Sequence, residues 1–117
     1  MNRGIAVNYT GRYQNTGYFL RKYLGRPGGK ADQAGDADLN WENNFHLYRY
    51  AETLLVAAEL AWRTNSGEAQ GYFDQVRERA GLSPKAISEE AIMQERRVEL
   101  LGEGKRYFDL VRFGKAA

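Results

Sequence analysis

The sequence predicts a mainly α fold, a helical bundle with short extended or β-like segments near the N-terminus. Two observations carry the helical part. The stretch from Phe45 to Arg63 contains no glycine or proline and places Leu47, Ala51, Leu54, Leu55, Ala58 and Trp62 at helical spacing. A second run, with Ala69, Tyr72, Phe73, Val76 and Ala80 in the same periodicity, stops at Gly81. A third observation sets the beginning of the chain apart: Ile5 to Leu24 is rich in Tyr, Val, Thr and Phe with interspersed glycine, a composition that suits strands and turns.

In chain order, residues 1–44 form an extended region and surface loop, and residues 45–117 form a four-helix region. Tyr9 to Tyr13 and Thr16 to Leu20 read as two short extended pieces. Gly25-Arg26-Pro27-Gly28-Gly29 breaks the chain, because proline lacks a backbone donor and glycine favours turns. Lys30 to Leu39 has almost nothing to bury and reads as an exposed loop. Asn44 is placed to cap a first helix over 45–64, apolar on most sides and so expected in the middle of the bundle. Thr64 to Gly67 ends it, and Ser66 is placed to cap a second helix over 66–80, which closes at Gly81 with Leu82 folding back. The tight joint between these two helices predicts an antiparallel hairpin of tetratricopeptide-like size, although one pair does not make a repeat array. Ser88, followed by Glu89 and Glu90, is placed to cap a third helix over 88–102, where the dipole favours negative charge. Gly102 and Gly104 bracket a turn into a fourth helix over 105–113, stopped by Gly114.

Composition narrows the function classes. A chain of 117 residues fits one domain or a piece of one, and 43% hydrophobic with 27% charged residues is the balance of an ordinary folded protein. No apolar run approaches the roughly 20 residues that cross a bilayer, and the first residues lack the pattern of a secretory signal. With no cysteine, disulfides, thiolate metal sites, cysteine nucleophiles and a lipid-modified cysteine are excluded within these residues. The net charge of +2 does not argue for a nucleic-acid partner. It conceals six basic and no acidic residues up to Ala31, followed by Asp32, Asp36, Asp38 and Glu42, a loop that balances a basic neighbour.

Several residue patterns invite a chemical reading. Glu95, Glu99 and Glu103 recur every four residues on one helical face, and paired carboxylates can serve glycoside hydrolysis or metal binding. Arg96, Arg97, Lys105 and Arg106 stand close by, so structural pairing is the expectation, and a dinuclear metal bundle would need Glu-x-x-His pairs that are absent. His46, the sole histidine, has nothing nearby to complete a triad. No catalytic residue, metal ligand or cofactor is therefore assigned. The glycine pairs lack the strand-loop-helix context of a phosphate cradle. The aromatic and basic residues from Tyr9 to Tyr23 read as a sheet covering the core rather than a base-stacking platform. Trp41, among Asn40, Glu42, Asn43 and Asn44, is the candidate ligand-binding residue, because a pyranose packs its apolar face on a ring while polar neighbours bind its hydroxyls. A staple onto the first turn of the next helix stands equally open for it.

The order of segments says more than any one residue. Arg49-Tyr50-Ala51-Glu52-Thr53-Leu54-Leu55-Val56-Ala57-Ala58-Glu59, then Phe73 to Leu82, then Glu95-Arg96-Arg97-Val98-Glu99-Leu100 and Glu103-Gly104-Lys105-Arg106-Tyr107-Phe108-Asp109-Leu110-Val111-Arg112-Phe113-Gly114-Lys115 resemble, in this order, blocks of the SusD/RagB family. Thr16-Gly17-Tyr18 and Arg21-Lys22-Tyr23 resemble the approach to them, and Leu101-Gly102 departs from a usual small residue and aromatic. The resemblance implies the C-terminal part of a longer chain, with an export signal, a lipid-anchor cysteine and a large helical region before Met1. It implies non-catalytic capture of oligosaccharides at the outer-membrane surface and delivery to a TonB-dependent, SusC-like transporter. It carries over no sugar-binding residue. On the residue chemistry, Glu95, Arg96, Arg97, Glu99, Arg106 and Asp109 are expected to form an interhelical charge network, and Tyr107, Phe108, Leu110 and Val111 to supply packing. The alternative is a tetratricopeptide-like helical hairpin that binds a protein and no sugar. A small glycosidase is the weakest reading, since Glu95 and Glu99 share one face among arginines.

Overall fold

A computed structural model of the chain describes residues 10, 11, 13, 20–25, 28, 29, 36 and 40–116. The extended pieces expected between Tyr9 and Leu20, and the loop expected at 30–39, fall almost wholly outside the described residues. The chain divides into two compact units, Met1–Phe45 and His46–Ala117. In the first unit, Tyr23 turns the backbone at a φ of 65° and packs its ring 5.2 Å from that of Phe45. Its carbonyl accepts from Asn43 Nδ2 at 3.4 Å, while the Glu42 amide donates to the Gly29 carbonyl at 2.9 Å.

The second unit consists of four helices, α1 (Tyr50–Arg63), α2 (Ala69–Arg79), α3 (Glu89–Glu99) and α4 (Arg106–Arg112). α1 lies against both α2 and α3, as its broad apolar surface requires, and α4 rests on α3. Leu54, Leu55, Ala58, Phe73, Val76, Ala91 and Ile92 form the core, with Trp62, Tyr72 and Ile87 packed against it. Phe73, Leu55, Ile92 and Val76 are the largest fully buried side chains, each worth about 1.5–3 kcal/mol of hydrophobic stabilisation.

Local signals set most helix ends. Asn65, at a φ of 54°, closes α1: the Ser66 amide reaches back to the Ala61 carbonyl at 2.8 Å and the Asn65 amide to that of Trp62 at 3.2 Å. Gly81, at a φ of 70°, closes α2 in the same way, with the Leu82 amide on the Arg77 carbonyl and the Gly81 amide on that of Glu78, both at 2.9 Å. The Ser88 hydroxyl accepts from the Ala91 amide at 3.1 Å and caps α3. Ser66 caps nothing as tightly: α2 begins only at Ala69, and the Glu68 amide stands 3.4 Å from the Ser66 hydroxyl.

The start of α1 departs from expectation. The periodicity places helix from Phe45, but 45–49 is not helical, Asn44 caps nothing, and Leu47 is 75% exposed. Tertiary bonds explain this. Lys105 Nζ donates to the Leu47 carbonyl at 2.8 Å and sits 5.4 Å from the Tyr48 ring, while Arg49, in extended conformation, spreads its guanidinium over Glu99 and Glu103. A helix through 45–49 would give up these bonds. α3 likewise stops at Glu99, ahead of the expected 102, because the chain must turn through Gly102 and Gly104, both at positive φ.

Candidate functional site

The chemistry-bearing side chains of the second unit converge on a lattice of ion pairs linking all four helices. At its centre is Arg96 of α3, 5% exposed, whose Nε donates to both carboxylate oxygens of Asp109 of α4 at 2.9 and 3.0 Å. Its Nη2 lies 3.6 Å from Glu52 of α1, which also takes Lys105 at 3.1 Å. One α-helical heptad along α1, Glu59 receives Arg112 at 2.5 Å and Arg63 at 3.0 Å, and Arg112 returns to Asp109 at 3.1 Å. On the other side, Arg49 bridges Glu99 and Glu103, each at 2.9 Å; Arg79 reaches Glu99 at 2.7 Å; and Arg77 of α2 holds Glu95 at 2.5 Å.

The electrostatics follow from these contacts. Burial pushes the Glu59 carboxyl up, but hydrogen bonds from Arg112 and Arg63 outweigh it and hold the group below its ordinary value. Hydrogen bonding to Glu103, opposed by burial and aided by Glu99, raises the Arg49 guanidinium. Arg112 is lowered by burial, yet Glu59 and Asp109 raise it further and the net direction is up.

Of the six residues expected in a charge network, Arg96 and Asp109 pair with each other, while Glu95 and Glu99 are each ion-paired to residues outside the six. Arg97 is exposed and Arg106 half-buried, and neither makes an ion pair among the described residues; the Nη1 of Arg106 is buried without a hydrogen-bond partner there. The partners also differ from those that proximity in sequence suggests. Glu95 and Glu99 are held by Arg77, Arg79 and Arg49 rather than by Arg97 or Arg106. Glu52 and Glu59 escaped sequence reasoning altogether. Their signal was two carboxylates spaced by seven on the most apolar helix, where a buried charge must be paired.

Trp41 is half-buried, and a Cβ added at Gly25 would run into its indole, so the Gly25 backbone closes part of one ring face. The staple reading needed a helix starting at Phe45, and that segment is not helical. His46 is exposed. A separate groove of about 470 Å³ opens between α1 and α2, floored by Leu54 and Val76 and rimmed by Tyr50, Gln75, Glu78 and Arg79, with Tyr50 72% exposed. Among the described residues no cluster of His, Cys, Asp or Glu is placed to hold a metal, and no helix is long and apolar enough to cross a membrane.

Fold and site together define a tetratricopeptide-like helical scaffold locked by interhelical ion pairs. The SusD family model matches residues 2–117, and the chain belongs to that family. It is 37% identical over 97 residues to SusD-like protein P2 of Formosa agariphila, covering 70% of this chain and 19% of that protein. It is 36% identical over 75 residues to the starch-binding protein SusD of Bacteroides thetaiotaomicron, covering 62% of this chain and 13% of that one. Among solved structures, surface glycan-binding protein A from Bacteroides thetaiotaomicron in complex with laminarihexaose superposes with a TM-score of 0.85 at 50% identity, over 95% of this chain and 24% of its own. The chain thus spans about a fifth of the first of these relatives and about a quarter of the solved one.

Proposed function

We propose that a family-length protein carrying this segment captures oligosaccharides at the outer-membrane surface and hands them, without breaking a bond, to a TonB-dependent transporter. The observation that carries this reading is the likeness to a surface glycan-binding protein solved with laminarihexaose, at half identity over nearly the whole chain. A lipid anchor outside these residues would hold the protein to the membrane, and neither nucleic acid nor cofactor enters the reading. The ion-pair lattice serves as scaffold: its carboxylates are engaged by arginine and lysine, an arrangement suited to rigidity and not to proton transfer. Trp41 is the proposed sugar contact of this segment. Its indole, with one face backed by Gly25, is pre-set in orientation, and Asn40, Glu42 and Asn44 stand beside it in sequence. The protein-binding helical hairpin is the less favoured alternative, since the relatives bear the names of starch- and glycan-binding proteins.

The test is isothermal titration of the family-length protein against laminarihexaose and a wider glycan panel. At least one saccharide should bind, with Trp41→Ala weakening it by about tenfold, the equivalent of one lost ring contact of about 1.4 kcal/mol. Failure to bind any saccharide overturns the reading, and release of shorter sugars overturns its non-enzymatic part.

A further inference from the structure

α1 begins without a start signal of its own. Arg49, the residue before it, provides no side-chain cap, and residues 46–49 contain neither glycine nor proline. These residues also continue the apolar period of the helix. One more turn would bring Leu47, now 75% exposed, onto the side of Ala51 and Leu54, at the i+4 and i+7 positions. Backbone bonding points the same way. Among the described residues no amide of residues 46–51 donates a hydrogen bond. A further turn would send the Tyr50 and Ala51 amides to the carbonyls of His46 and Leu47.

Two side chains hold this turn open. Lys105 Nζ takes the Leu47 carbonyl at 2.8 Å, the acceptor that the Ala51 amide would need. Arg49 fastens the strap to the end of α3. Its Nε and Nη1 bond the carboxylates of Glu103 and Glu99 at 3.0 and 2.9 Å, and its Nη2 bonds the Glu99 main-chain carbonyl at 2.8 Å, one of the acceptors that a helix leaves open at its C-terminus. Arg79 reaches the same Glu99 oxygen at 2.7 Å, so Glu99 keeps a partner when Arg49 leaves. We propose that residues 46–49 form a two-position strap, latched open by Arg49 and Lys105 and poised to wind on as the first turn of α1 when the latch is released. The strap leads from the Met1–Phe45 unit, which carries Trp41, into the helices. Its four residues span up to about 13 Å when extended but about 6 Å in a helix, so winding shortens that connector by up to about 7 Å.

Nuclear magnetic resonance of the 117-residue chain tests this through the Cα shifts of residues 46–49 and the hydrogen exchange of the Tyr50 and Ala51 amides. Arg49→Gln opens the main latch at nearly unchanged helix propensity. The wild type should show non-helical shifts over 46–49. In Arg49→Gln they should turn helical, and the Tyr50 and Ala51 amides should exchange at least about tenfold more slowly, while residues 54–58 keep their wild-type shifts. Coil-like or unchanged shifts over 46–49 in a variant with α1 intact overturn the proposal, as does a wild type that is already helical there. Should Arg49→Gln not fold, Glu103→Gln decides, since it weakens the latch but leaves Arg49 on Glu99. A partial move of 46–49 towards helix supports the strap, and no move overturns it. Unfolding of both variants overturns it too, because the contacts would then hold up the bundle instead of choosing between two forms of one segment.

Discussion

Removing the carboxylate of Asp109 should leave a buried guanidinium without its main partner. Arg96 is 5% exposed and Asp109 2%, so neither can fall back on water in the folded chain. Asp109→Ala takes both oxygens from Arg96 Nε and leaves Arg96 with Glu52 alone, at 3.6 Å. Arg112 also loses Asp109, but its side chain is 39% exposed and it keeps Glu59 at 2.5 Å. The loss therefore concentrates on Arg96. Breaking a buried pair costs about 3–5 kcal/mol, and the surviving Glu52 contact places the expected loss near the lower end, at about 3 kcal/mol. That is a large share of the stability of a small unit, about 0.05–0.15 kcal/mol per residue, and corresponds to a fall in Tm of about 12–24 °C. Urea titration of the 117-residue chain, followed by far-UV circular dichroism, measures it. The double variant Arg96→Met with Asp109→Leu should recover most of the loss, because apolar residues of similar volume replace a buried pair well and Glu52 still has Lys105 at 3.1 Å. A loss under about 1 kcal/mol for Asp109→Ala, the scale of an exposed pair, would refute the argument, as would a double variant no more stable than the single one.

Two further outcomes follow from the same lattice. The folded pKa of Glu59 is depressed, so the unfolded chain takes up the proton first as pH falls; the stability Glu59 contributes is present above its ordinary value of 4.5 and is lost as pH drops through the folded value. Tm measured across that acid range should fall less steeply for Glu59→Gln than for the wild type, and identical slopes would count against the assignment. Arg106→Met should change stability by less than about 1 kcal/mol, because Arg106 makes no ion pair among the described residues and its Nη1 is already buried without a partner. This reverses the expectation from sequence, in which Arg106 belongs to the charge network; a loss above about 2 kcal/mol in the same urea assay would restore that view.

The sequence by itself determined what depends on neighbours along the chain. The stops at Asn65 and Gly81 and the cap at Ser88 are short-range chemistry, since a left-handed residue or a capping hydroxyl acts within one turn. The core positions Leu54, Leu55, Ala58, Phe73 and Val76 were legible because helical periodicity reports which side of a helix is apolar. The ordered block from Glu95 to Lys115 pointed to the family for the same reason, being a string read along the chain. Periodicity does not report which element lies opposite. That Arg49 crosses to Glu99 and Glu103, fifty and more residues away, and so holds the start of α1 extended, is decided by packing. So are the burial of Glu52 and Glu59, the exclusion of Arg97 and Arg106 from the lattice, and the outward-facing rings of α4. Each is a choice among partners of similar chemistry, and such choices are made by distance and desolvation, which exist only once the helices have met.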